Sequence, residues 1–137
     1  MRPAVVIGLA VTGILVYDVA WPLVYGAFPS AQPILDVVFT LVAFLIPFVL
    51  GMILGRWESS GRAALLIATV GLVDSTAGWA ISRQIAPAWT EIGHGRAAVI
   101  NVATTIVAVV TLYGVVGLAG AATRHWWTRH ESARAGR

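Results

Sequence analysis

The sequence predicts an all-α, polytopic membrane protein: a bundle of four transmembrane helices with short connections and both termini in the cytoplasm. Three observations carry this reading. The composition is 58% hydrophobic and only 11% charged, with a mean hydropathy of +0.84, too little charge to clothe a water-soluble surface. Four apolar runs each reach the length that crosses a bilayer, about 20 residues at about 1.5 Å rise per residue. The nine basic residues, all arginine, gather at the ends of those runs and favour one side.

The first run, Ala4 to Tyr25, contains Asp18. Its apolar stretch is too long for an ordinary signal core and carries an acid, so it is expected to remain as the first span. Residues 26–33, GAFPSAQP, are uncharged and hold two prolines, which marks a tight turn with Pro33 opening the next helix. The second run spans Ile34 to Gly55 and has Asp36 near its edge, where a negative charge favours exposed helix amides. The connection RWESSGR leads to the third run, Ala63 to about Arg83, with Asp74 near its middle. Residues 84–96 form the longest connection, in which Trp89 and Ile92 can rest at an interface. The fourth run is Ala97 to Ala122, so that residues 1–122 make the membrane domain and residues 123–137 a basic cytoplasmic tail. The runs are continuously apolar and do not alternate, which favours helices over a membrane β-barrel.

Orientation follows from the arginines. Arg2, Arg56, Arg62, Arg124, Arg129, Arg134 and Arg137 flank one set of span ends, against Arg83 and Arg96 at the other. Basic residues near span ends bias toward the cytoplasm. The same placement suits a bilayer with anionic headgroups and argues against a nucleic-acid footprint. Trp57, Trp89, Trp126 and Trp127 fall at the expected interfaces, where the ring is buried and its N–H hydrated. A loose repeat is visible between the two hairpins: Gly13, Asp18 and Trp21, then Gly51, Gly55, Arg56 and Trp57, against Gly71, Asp74 and Trp79, then Gly117, Gly120, Arg124 and Trp126. Its intervals differ between copies, and small residues and tryptophans are common in any membrane helix. As a duplication it would insert both copies in the same sense, unlike an inverted transporter repeat.

The polar residues within the spans set the functional expectation. Gly71, Asp74, Ser75, Gly78 and Ser82 share a stripe at helical spacing, as do Asn101, Thr104, Thr105, Ala108 and Thr111. At about 1.5 Å per residue, Asp18, Asp74 and Thr105 lie about 10, 15 and 12 Å below the outer ends of their helices. A carboxylate near the bilayer centre costs about 2.5–3.5 kcal/mol on insertion scales and often marks a transport or proton site. Asp74, Asp18, Asn101, Thr105 and Ser75 are therefore the expected ligand or proton site, in a pocket open to the outside and closed toward the cytoplasm. The bland reading of the same residues is hydrogen bonding within or between subunits. Thr104 and Thr105 can satisfy themselves on their own helix. Arg83 is nine residues from Asp74, about 13.5 Å along the axis, and can equally snorkel to lipid phosphate. Pro22 and Pro47 are candidate gates or simple packing bends. Gly51 and Gly55, spaced as GMILG, read as a helix-packing pair.

No catalytic, metal or cofactor site is expected. The chain has no cysteine, and His94, His125 and His130 lie outside the spans, on opposite sides. No HExxH, GxSxG or GxxxxGK[ST] occurs. The expectation is a small transporter-like protein or transport component for a cation, proton or small polar solute. The alternative is a noncatalytic accessory or structural subunit of a larger membrane complex, and a lipid-modifying enzyme has no spacing to support it. Four helices enclose little volume, so a homo-oligomer or larger complex is expected in either case.

Overall fold

The computed structural model describes residues 2–85 and 96–135, and the expectations for Trp89, Ile92 and His94 fall outside them. Helix α1 runs Pro3–Ala27 and a 3-10 turn occupies Pro29–Ala31. Helix α2 spans Gln32–Leu54, α3 Ser60–Val73, and a π-helical turn Asp74–Gly78 leads into α4, Trp79–Ile85. Helix α5 runs Arg96–Ala135. The described residues contain no strand. Four stretches are long and apolar enough to cross a membrane: Pro3–Ala27, Pro29–Leu54, Ser60–Ile85 and Ala98–Arg134.

Helix starts follow local chemistry. Pro3 begins α1 at a position where its missing N–H has no intrahelical acceptor to serve. Phe28 N–H closes α1 on the Val24 carbonyl at 3.0 Å, and Pro29 opens the 3-10 turn directly, so the reversal into α2 is tighter than the eight-residue turn read from the sequence. At the other reversal, Trp57 and Glu58 donate to the Leu54 carbonyl at 3.0 and 2.9 Å. Ser59 then caps α3 by accepting from Arg62 N–H at 3.4 Å. Glu58 and Arg62 form an ion pair of 3.3 Å across that start.

Helix α5 is the organising element. It packs along α2 on one side and α3 on the other, while α1 packs against the π turn and α4. By connectivity α2 and α5 run in the same direction, and their contact is made of small residues. A Cβ placed on Gly51 would collide with the Gly117 carbonyl oxygen, and one on Gly120 with the Phe48 carbonyl oxygen. Gly55 faces the Ala121 backbone, where a Cβ would stand 3.1 Å from its Cα. Small residues four positions apart, such as Gly51 and Gly55 or Gly117 and Ala121, let two helix backbones touch. Beside them Leu54, Ala63, Ile67, Val70 and Ala121 are completely buried, with Val6 and Ile14 of α1 closing the same core. This close-packed zone lies toward the arginine-rich end, where Arg2, Arg56, Arg62 and Arg124 gather.

The C-terminal segment is helical. Residues 123–135 continue α5 without a break, so one helix of 40 residues extends about 60 Å, twice the thickness of a bilayer core. His125 fixes where it leaves the bundle. Its Nε2 lies 2.8 Å from the Gly55 carbonyl and its Nδ1 3.0 Å from Ser60 Oγ. A carbonyl only accepts, so Nε2 carries the hydrogen. One imidazole thereby ties the end of α2, the start of α3 and α5 together.

Candidate functional site

The third span does not continue as a regular helix past Asp74. Trp79 N–H reaches back five residues to the Asp74 carbonyl, which defines the π turn. The sequence invites this widening. Ser75 Oγ donates to the Gly71 carbonyl at 2.8 Å and Thr76 Oγ1 to the Leu72 carbonyl at 2.6 Å, both competing with the helix's own N–H groups for those acceptors. The extra residue turns α4 by about one 100° step relative to α3. Such turns cluster at functional sites.

Two glycines flank Asp74, and each admits a polar side chain from another helix. Gly71 lies under Tyr113 of α5, where a Cβ would stand 2.8 Å from Tyr113 Cβ and Cγ. Gly78 lies under Asp18 of α1, where a Cβ would overlap Asp18 Oδ2. Tyr113 and Asp18 thereby both become side-chain hydrogen-bonding neighbours of Asp74. Asp18 is 5% exposed and Tyr113 3%, whereas Asp74 is half-buried. Tyr17 stands in the same electrostatic environment and donates to the Phe39 carbonyl at 3.2 Å.

Pro22 has a specific part in holding Asp18. A helical proline lacks the N–H that would bond the carbonyl four residues earlier, which here is that of Asp18. Ser82 Oγ donates to this carbonyl at 2.8 Å, and Ser82 is 2% exposed. The backbone acceptor released by the proline is therefore satisfied from α4, and the bond pins the two helices at the depth of the acid. Asp18 Oδ2 is treated differently: it is buried and has no hydrogen-bond partner.

The acids have no cationic partner among the described side chains. Arg83 lies over the Trp79 ring, 5.4 Å from its centroid, in keeping with the distance along the helix that argued against a reach to Asp74. Asp36 is not in the first turn of α2, and bonds the Tyr25 hydroxyl instead of free helix amides. Tyr25 in turn stacks on Phe39, with centroids 5.4 Å apart.

The remaining site residues form a separate place. Ser75, Asn101 and Thr105, with Trp79 and Val102, line a cleft of about 110 Å³ between the π turn, α4 and α5. Asp18 and Asp74 are not among its lining residues. Asn101 and Thr105 are exposed, and Thr105 and Thr104 donate to the Asn101 and Ile100 carbonyls of their own helix at 2.9 and 2.8 Å. Pro47 is fully buried in α2, beside the Phe48 to Gly120 contact. The pairing of Asp18 with Asp74 thus draws on Tyr113, Tyr17 and Ser82, of which the two tyrosines carry no signal in the sequence beyond their aromatic character. Among the described residues no three histidine or acidic side chains converge as a metal site. No family model, curated protein or solved structure matches the chain. The fold and site therefore define a class, an all-helical bundle with an acid pair between membrane-length helices, and its function rests on the residues themselves.

Proposed function

We propose that this is a small transporter-like protein of the cell membrane, or a component of a transport assembly, with both termini cytoplasmic and a polar site for a cation, proton or small polar solute served from the outer side. The single observation that supports it is the meeting of Asp18 and Asp74, from different helices, with no basic side chain among the described residues to neutralise them. Ionisable side chains within a span face the bundle interior or a water-filled cavity and mark ion pathways or proton relays. Asp74 is half-buried at the start of the π turn.

The test is flux into proteoliposomes under an imposed membrane potential, with protons, Na⁺ and K⁺ assayed separately. Wild-type protein is expected to carry at least one of them, and Asp74→Asn to fall to the level of protein-free vesicles. Flux in Asp74→Asn equal to wild type, or none in wild type, overturns the reading.

A second reading has its own support in Asn101. Its carboxamide is exposed beside Val99 and Ile100 on a membrane-length helix, a position that gains hydrogen bonds once another chain covers it. A noncatalytic subunit of a larger complex, or a homo-oligomer, fits that surface. Copurification in a mild detergent distinguishes the two: a stoichiometric partner favours the accessory role, and an active isolated protein excludes it as obligatory.

A further inference from the structure

We infer that the species held between Asp18 and Asp74 is a proton, shared by the two carboxyl groups and positioned by Tyr113; this rests on the functional reading above and narrows it to one ligand. Three features of the packing argue for it.

The first is donor chemistry. An ionised carboxylate accepts hydrogen bonds and donates none. Asp18 and Asp74 are hydrogen-bonding neighbours, yet as two carboxylates neither supplies the hydrogen. One proton converts that contact from repulsive to bonded, as happens when two carboxylates share a site. The second is the buried oxygen. Asp18 Oδ2 has no partner, and a charged oxygen in that state is far more costly than a neutral carboxyl group. The third is volume. Asp18 Oδ2 fills the space over Gly78 that a Cβ would need, so the acid is seated on backbone. A hard metal ion surrounds itself with six or more oxygens, which would lift Asp18 off the third span. A proton needs no such room.

The surrounding charges agree from every packed element. Helix α1 brings Tyr17, Asp18 and Tyr25, and α2 brings Asp36, which is bonded to Tyr25. The third span brings Asp74, with Arg83 held over Trp79, and α5 brings Tyr113. The two carboxylates with these phenols leave two negative charges when the proton is absent and one when it is bound. Tyr113 neighbours the Asp74 side chain, and a phenol hydroxyl is the donor on hand for the ionised acid. Asp18, which lacks such a donor, is the member that carries the hydrogen. Release breaks the Asp18 O–H bond, leaves the electron pair on the carboxylate and transfers H⁺ to water.

The experiment is infrared spectroscopy of the protein in phosphatidylcholine vesicles, titrated with acid and base at fixed salt. One protonated-carboxyl band is expected to persist after the exposed acids have ionised, insensitive to Na⁺, Li⁺ and K⁺. Asp18→Asn removes it. Asp74→Asn keeps the helix content by circular dichroism and shifts its midpoint by about tenfold or more in proton concentration. Tyr113→Phe retains the band but raises the proton affinity of the pair about tenfold, because a charge-assisted bond to the ionised partner is gone; a merely structural tyrosine would leave the midpoint in place. A wild-type spectrum in which every protonated-carboxyl band is lost over the range where exposed aspartate and glutamate ionise, with none of them missing in Asp18→Asn, overturns the inference. So does displacement of the band by an alkali cation at constant pH, which would make the ligand a metal ion and leave the wider transport reading standing. The wild-type titration decides the matter even if a variant fails to fold, and absence of flux in the vesicle assay strikes the transport reading separately.

Discussion

Toward the arginine-rich end, glycine brings helix to helix: Gly51, Gly55, Gly117 and Gly120 let the backbones of α2 and α5 meet, beside the fully buried Leu54, Ala63, Ile67 and Ala121. Around the middle of the third span, glycine brings a polar side chain to a helix: Gly71 admits Tyr113 and Gly78 admits Asp18. The same lack of a Cβ serves cohesion in one region and site assembly in the other. Fold stability and site chemistry should therefore respond to different substitutions.

The largest expected effect is in the cohesive region. Gly51→Leu sets a side chain where the Gly117 carbonyl already stands, and backbone cannot yield as a flexible side chain does. A loss of about 3 kcal/mol or more is expected, read as a lowered unfolding temperature in detergent. Gly8→Leu, where nothing lies within 4 Å, is the matched control and should change little. Equal stability of the two variants would mean that α2 and α5 do not touch through this face.

Gly78→Ala should cost less, about 1–3 kcal/mol, because the atom met first is the carboxylate end of Asp18, and α1 can tilt. Its effect should be conditional. In an Asp18→Ala background the obstruction is gone, and the coupling between the two sites is expected to be about 1 kcal/mol or more. Additive losses would show that Asp18 does not rest on Gly78. This cycle separates the site from the packing core, since Gly51→Leu and Asp18→Ala should add without coupling.

What the sequence makes legible divides along the same line. The four spans are plain because length and apolarity are summed over some twenty residues, and their ends differ from the structure by only a few residues except at the end of the fourth, where α5 runs on to Ala135. The π turn is not, since periodicity counts Asp74, Ser75 and Gly78 as points on a regular stripe and cannot see that Ser75 and Thr76 take carbonyls from the helix. Asp18 and Asp74 stand out by charge alone, but their meeting depends on which helices adjoin. Tyr113 is silent in the sequence, because a tyrosine in an apolar run looks like ordinary core. The continuation of α5 through residues 123–135 is hidden for a related reason: polar composition marks the end of a span without marking the end of a helix.

A smaller effect tests how Asp18 is held. Ser82→Ala removes the donor to the carbonyl that Pro22 leaves open, and hydrogen bonds between membrane helices average about 0.6 kcal/mol, with larger values near 1.7. A loss of about 1 kcal/mol is expected in the wild-type background. Pro22→Ala restores the helical N–H, so Ser82→Ala in that variant should cost less. If the cost is the same in both, the proline and the serine are not serving one acceptor.

The smallest expected effect bears on the cleft and not on the acid pair. Thr105 is exposed, and its hydroxyl donates to the Asn101 carbonyl of its own helix, an acceptor that a regular helical N–H also reaches. Thr105→Val removes the hydroxyl and keeps the shape, so stability should change by less than about 0.5 kcal/mol. Proton flux should also be retained, because the cleft of Ser75, Trp79, Asn101, Val102 and Thr105 is separate from the contact between Asp18 and Asp74. A large loss of flux with unchanged stability would give Thr105 a direct part in conduction, and would move the functional path from the interior of the bundle to the α4–α5 face.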